Sequence, residues 1–418
     1  MYLLLLPLLL SCPQDTAEIQ QRADDLEQVR QELNAKIDAL ADELERRDLG
    51  ELAPSELTRV SGMGRSASRI YSRDQGTSIG GYGEFLYNLP AGANNTFDAL
   101  RGVLYVGHRF DEHWLVNTEI EIEHGSTSGS TPEGTPEGSA SLEFGYVEYL
   151  PNDAFAVRGG LLLVPMGLVN ENHEPTAYLP VSRPKVEQVI MPSTWREMGL
   201  GAWGRTGSLE WHTYVVNGLA GENFDESGLR GGRQKGSKAD AEDLAFVQRL
   251  DWSLSPGLVL GTSFYVGNSA GSNEGLGGSL GTRIFEVHGT WEEGPWSLQA
   301  LATQAEVDGA QDFNQSFLDG GDPNPSLANT LHGAYLQVGY NLLANTSSSM
   351  ALSPYVRYET LDTQADLPSN AVANPKSDEE ILTFGIALKP TDGVVIKLDY
   401  ASSDQNGDRM ALLIGYSF

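Results

Sequence analysis

The sequence predicts an all-β fold, a transmembrane antiparallel β-barrel of about sixteen strands, preceded by an α-helical coiled coil. Three observations carry this reading. Segments of about ten residues alternate apolar and polar side chains with a period of two, the mark of strands with two unlike faces. The gaps between these segments alternate short and long, as turns at one rim and loops at the other would. Gly is abundant (47 of 418 residues) and mean hydropathy is −0.28, so the chain after its first residues holds no long apolar helix.

Residues 1–12 hold the one continuous apolar run, Tyr2 to Leu10. It is too short to span a bilayer and reads as the core of an export signal. Cys12 is the only cysteine, so no internal disulfide forms. Leu9-Leu10-Ser11-Cys12 is similar to a bacterial lipobox, which would make Cys12 a lipid anchor. An ordinary cleavage site beside an incidental Cys is the alternative. Residues 13–48 form a coiled coil: Ile19, Leu26, Leu33 and Leu40 recur every seven residues, with Ile37 and Leu44 in the companion seam. Such a stripe is buried only against other helices, and a homotrimer suits the barrel that follows. Arg30 and Ala23 in the seam weaken the coil and set its register. Residues 49–76, with Pro54, Gly62 and Gly64, read as a linker.

The barrel is expected over 77–418. In its first segments Ile79, Phe85, Leu104, Ile120 and Ile122 share the apolar parity, and Tyr82, Glu84, Arg101, Glu119 and Glu121 oppose them. Further segments fall near 140–150, 154–164, 197–205, 207–217, 242–252, 256–267, 281–292, 295–306, 331–342, 349–361, 380–389, 393–402 and 408–418. The last hairpin is the clearest. Val394, Ile396, Leu398 and Tyr400 oppose Lys397 and Asp399, and after the Asn406-Gly407 turn Met410, Leu412, Ile414, Tyr416 and Phe418 share one parity. Short gaps such as Asp111-Glu112 alternate with longer ones such as 125–139 and 217–241. Both termini then lie at the short-turn, periplasmic rim, which places the coil in the periplasm. Trp114, Trp211, Trp252, Trp291, Trp296, Tyr400, Tyr416 and Phe418 sit near strand ends, where rings suit the headgroup level.

The gap 165–196 reads PMGLVNENHEPTAYLPVSRPKVEQVIMPSTWR. It mixes prolines, apolar residues and charges, as a loop packed against the inner wall would. Glu171, His173, Glu174, Arg183, Lys185, Glu187 and Arg196 are its expected constriction charges. Their spacing fits no metal site, so no metal and no cofactor is expected. The lumen parity carries both signs: Glu84, Arg101, Glu119, Glu121, Arg158, Arg249, Arg357, Glu359, Lys397, Asp399 and Arg409. Opposed walls of this kind sort solutes by charge; the plainer reading is that the charges solvate a polar lumen. A net charge of −30 with no basic patch excludes nucleic acid as a partner. None of the seven His has a nucleophile pattern beside it, so the chain is not read as an enzyme.

These features resemble a bacterial outer-membrane porin across 77–418. The stretches GGYGEFLY (80–87), NENHEPTAY (170–178) and PSTWREMGLG (192–201) are similar to porins of the phosphate-selective O/P type, a group whose broader architecture includes an N-terminal coil. The resemblance implies the bacterial outer membrane, contact with its lipid, a trimer with a third loop folded into each pore, and a terminal aromatic strand read by the barrel-assembly machinery. It carries the fold and passive transport but not the solute, since 27 basic residues face 57 acidic ones. The expected function is a passive diffusion channel for small hydrophilic solutes or ions, narrowed by loop 165–196. The alternative is an envelope tether, the barrel serving as anchor and the coil reaching the periplasm or cell wall. A barrel lipid hydrolase ranks last.

Overall fold

A computed structural model describes residues 28–31, 36, 60, 62–125, 138–152, 154–272, 279–321 and 325–418. Sixteen strands form one closed antiparallel barrel in which each strand pairs with its neighbours in sequence and the last pairs with the first. They are β1 (Gly76–Pro90), β2 (Thr96–Arg109), β3 (Trp114–Glu123), β4 (Ser139–Asn152), β5 (Phe155–Leu163), β6 (Arg196–Thr206), β7 (Leu209–Asn217) and β8 (Leu244–Ser255). The second half is β9 (Leu258–Asn268), β10 (Gly281–Glu293), β11 (Trp296–Asp308), β12 (Thr330–Tyr340), β13 (Ala351–Asp366), β14 (Asp378–Thr391), β15 (Val394–Ser403) and β16 (Gly407–Ser417). Closure matters physically, because hydrocarbon cannot hydrogen-bond a free sheet edge. The seam is continuous: Phe85 stands opposite Ile414, and Glu84 opposite Gly415.

The period of two sets which side chains meet lipid. Phe85, Leu104, Ile120, Leu200, Phe264, Val287, Phe384 and Ile414 point outward and are exposed, while Tyr82, Glu84, Glu119, Tyr214 and Lys397 point inward and are buried. Trp114 packs on Tyr149 (4.8 Å) and Trp296 on Tyr340 (4.7 Å) near the short-turn rim. Tyr87 stacks on Phe97 (4.2 Å) and Phe384 lies by Tyr400 (5.3 Å) near the other. Rings at both ends of an apolar belt fit the two interfaces of a bilayer.

Connections at one rim are tight, as at 207–208, 256–257 and 392–393. At 110–113, Asp111 Oδ1 accepts the N–H groups of His113 and Trp114, both at 2.8 Å, and closes the turn. The opposite rim carries 164–195, 218–243, 269–280 and 309–329. Two expectations change here. β13 runs on to Asp366, past the expected end near 361, so the following loop is shorter. The linker expected over 49–76 is in part lumen filling: Ala67–Ser72 forms a short 3-10 helix, with Met63, Ser66, Ala67, Ser68 and Ile70 buried. The coil seam (Ile19, Leu26, Leu33, Ile37, Leu40, Leu44) and Cys12 lie outside the described residues. Residues 28–31 and Lys36 are described and helical.

Candidate functional site: the lumen and its inserted loop

A closed sixteen-strand barrel leaves an interior too wide for its own side chains to fill. Here loop 164–195 turns inward and fills much of it. The neck of the loop is stapled by Asn170. Its Nδ2 donates to Val164 O (2.7 Å) and Trp195 O (2.9 Å), and its Oδ1 accepts the Trp195 N–H (2.7 Å). Val186–Val189 forms one helical turn, and its Glu187 folds back on the loop. Glu187 Oε2 accepts the N–H of Leu168 (2.8 Å) and Val169 (2.9 Å); Oε1 accepts the Tyr335 hydroxyl of β12 (2.6 Å).

Wall charges then hold the loop, all but one of them by its backbone. Glu359 accepts the Lys185 N–H (2.5 Å), and Asp399 accepts the Val181 N–H (2.8 Å). Arg357 donates to Ser182 O (3.0 Å), Arg409 to Ser182 Oγ (2.7 Å), Lys389 to Thr176 O (2.7 Å) and Lys397 to Pro180 O (3.0 Å). Arg249 donates to Gly167 O. Lys397 Nζ also sits 3.7 Å above the Tyr178 ring, whose hydroxyl donates to Glu84 (3.0 Å). An inserted loop brings unpaired peptide groups into a confined space, and every such group needs a partner. The charged inner wall supplies them.

Several of the expected lumen positions meet the inserted loop directly. Arg249, Arg357, Glu359, Lys397 and Asp399 are buried anchors of the loop. Arg158 is buried in a cluster with Glu148 (2.6 Å) and over the Tyr146 ring (4.6 Å). Arg196 opens β6 instead of belonging to the loop, and its guanidinium pairs with Glu143 at 2.5 Å. Arg409 keeps a partly exposed side chain. Glu84, Arg101 and Glu121 form one chain of ion pairs on β1–β3, with Arg101 at 2.8 Å from Glu84 and 3.2 Å from Glu121. Glu119 and Glu143 continue that acidic wall, and both keep a carboxylate oxygen without a hydrogen-bond partner.

Within the loop, His173 Nδ1 lies 2.8 Å from Asn170 O and Nε2 lies 3.3 Å from Glu119. Burial, with help from the Arg183 charge, pushes its pKa down to about 4. A neutral ring carries one N–H, so it serves one of these two acceptors at a time. Burial pushes the carboxyls of Glu171, Glu174 and Glu187 up. Arg183 is buried, its guanidinium 3.5 Å from His173 O, while Lys185 is partly exposed. Among the described residues no group of His, Cys, Asp and Glu is arranged to hold a metal ion.

Two features were missed in the sequence. Arg230 and Arg233 of loop 218–243 donate to Ser193 O, both at 2.8 Å, and Arg233 also reaches Thr194 Oγ1 (2.7 Å), clamping the end of the inserted loop. The run GLRGGRQKGSK was the signal, a basic cluster in an acidic chain. His212 and His288 were passed over although they sit on the lumen parity. His212 lies between Glu210 (3.1 Å) and Glu171 (3.6 Å), and His288 between Asp251 (2.7 Å) and Glu286 (2.9 Å).

An uncharacterized protein of Aquifex aeolicus (strain VF5) is 35% identical over 361 residues, which covers 84% of this chain and 81% of that one. The chain belongs to the same family as this Aquifex protein. No family model matches. Among solved structures, OmpF of Salmonella typhi in complex with daunomycin has a TM-score of 0.57 at 11% identity, covering 82% of this chain and 98% of that one. An OmpT of Vibrio cholerae lacking loop L8 scores 0.53 at 9% identity, covering 83% and 100%. In-vitro folded OmpT scores 0.51 at 11% identity, covering 84% and 100%. These identities speak for the fold alone: the chain has the porin fold. With its apolar belt and ring-lined ends, that fold places it in the bacterial outer membrane, in contact with lipid.

Proposed function

We propose that the protein is a passive outer-membrane channel for small hydrophilic solutes or ions, and that loop 164–195 governs its conductance. The observation that carries this is the loop's position, inside a closed barrel and held on charged wall residues. A purely structural barrel could be filled by apolar side chains. This one is filled by a loop that buries Val186, Ile190 and Trp195 in the apolar core and is also held at separate polar points by Glu359, Asp399, Arg357, Lys397 and Arg409. These contacts are separate from one another, which makes release of the loop a graded event. The acidic wall of Glu84, Glu119, Glu121 and Glu143 against Arg101, Arg183 and Arg196 supports sorting of solutes by charge. A homotrimer joined in part by the coil of 13–48, and assembly by the barrel-assembly machinery, belong to the same reading.

The test is single-channel recording of the purified protein in a planar bilayer under a salt gradient. Current steps in groups of three, with a nonzero reversal potential, are expected. Folded protein that never conducts under any voltage sinks the proposal.

One observation favours a second reading. The lumen is well filled, as suits an anchor more than an open pore. In that case the barrel is an envelope tether and the N-terminal coil its working part. Removing residues 15–48 would then detach the envelope while leaving solute uptake unchanged.

A further inference from the structure

Residues 62–72 are not part of the barrel wall. They precede β1, yet they lie inside the barrel against β1–β5 and under the inserted loop. Asn117 of β3 donates to Ala67 O (2.9 Å). Tyr71 donates to Glu148 of β4 (2.6 Å), and Arg158 of β5 donates to the Tyr71 hydroxyl (3.3 Å). The Tyr146 hydroxyl reaches Met63 Sδ (3.2 Å). On the other side the segment meets two carboxylates of the loop, Glu171 beside Gly62, and Glu174, which makes the hydrogen bonds. Glu174 Oε1 accepts the N–H groups of Ser66 (2.9 Å) and Ala67 (3.3 Å), and Oε2 accepts the Ser66 hydroxyl (3.3 Å). The fit is tight at Gly62, where a Cβ would stand 2.6 Å from Glu171 Oε2, and at two further glycines. A Cβ on Gly64 would stand 2.3 Å from Glu174 Oε1, and a Cβ on Gly107 of β2 would stand 2.8 Å from Ile70.

We propose that residues 62–72 are a plug, a second gate on the short-turn side of the lumen, latched to the conductance loop by Glu174. This rests on the channel reading. The plug is covalently continuous with residues 1–57, which form a separate unit. A pull or a docking event on that N-terminal unit is therefore transmitted to Ser66 and Ala67, and through Glu174 to the loop. The fold thus couples the state of the pore to the residues that lie before the barrel. The chemistry fits a latch. The segment combines polar groups met by hydrogen bonds with Met63, Ala67 and Ile70 packed in the apolar core, so seating is held by both and release breaks both.

The experiment uses full-length protein in lipid vesicles and planar bilayers, with Cys12 replaced by Ser. Ser68→Cys reports whether the plug is seated, because Ser68 is 1% exposed while the nearby Ser72 is exposed. A water-soluble maleimide should label Ser68→Cys on the order of tenfold or more slowly than Ser72→Cys, since labelling waits for local opening. Gly107→Leu presses on Ile70 from the wall, and Glu174→Leu removes the latch from the loop side. Each should speed labelling at Ser68→Cys and raise the frequency of open events. Rapid labelling in the parent background overturns the plug. So does a released plug with unchanged opening, if deletion within Asn170–Pro184 does raise conductance. If neither deletion nor release gives current, the channel reading fails and the gate falls with it.

Discussion

Glu187→Leu tests the seating of the inserted loop at a side chain that ties it both to itself and to the wall. The substitution keeps a similar volume but removes three acceptor contacts, to Leu168 N, Val169 N and Tyr335 Oη. Glu187 is 2% exposed, so water does not readily replace them. A buried donor left unpaired costs about 1–3 kcal/mol, which sums to about 3–9 kcal/mol for three. Local relaxation puts the expected loss near the lower end, about 3–4 kcal/mol. At 1.4 kcal/mol per tenfold, the ratio of released to seated loop rises by roughly a hundred- to a thousandfold. The barrel itself should survive, because its strand ladder does not pass through Glu187; heat-modifiable migration on a gel checks this. In single-channel records the variant should flicker open far more often than wild type at the same voltage. Glu187→Gln, which keeps an acceptor, should fall between the two. A properly folded Glu187→Leu protein with wild-type current and open frequency would refute the role of this contact.

Other outcomes follow from the same geometry. His173 titrates near 6.5 when free but at about 4 when seated. The released loop therefore holds the extra proton in that window, and seating weakens as pH falls through it, by up to about 3 kcal/mol. The raised carboxyls of Glu171, Glu174 and Glu187 act oppositely, their protonation favouring the seated loop. Acidification from pH 7 to about 4.5 should thus raise the open frequency more in wild type than in His173→Asn; equal pH profiles would contradict this. Arg233→Gln should loosen the loop end by about 1.5–3 kcal/mol and expose 188–194 to protease, measured by cleavage rate in vesicles. Removal of residues 15–48 should weaken the proposed homotrimer, read from its size in mild detergent, while leaving a heat-modifiable barrel.

The barrel was legible because lipid on one side and a polar interior on the other force a two-residue period on each strand. The hairpin of β15 and β16 shows this plainly: Val394, Ile396 and Leu398 face out while Lys397 and Asp399 face in. The loop's inward path was legible from its mixed composition, since Val186, Ile190 and Trp195 would not be left in water. What the inner charges do was not. Parity places Arg357 and Lys397 inside but cannot say whether they meet water or the carbonyls of Ser182 and Pro180. The segment 62–72 was hidden for a related reason. It has no period, and its burial depends on partners more than forty residues away in sequence, such as Asn117 and Glu174. Short polar runs of this kind look the same in a linker and in a plug.

The most direct measurement compares single-channel conductance of the full-length protein with that of a variant lacking part of Asn170–Pro184, in the same bilayer and salt. If the inserted loop sets the pore, the shortened protein gives clearly larger, stable current steps. Identical steps from two folded proteins would mean that the loop does not limit passage.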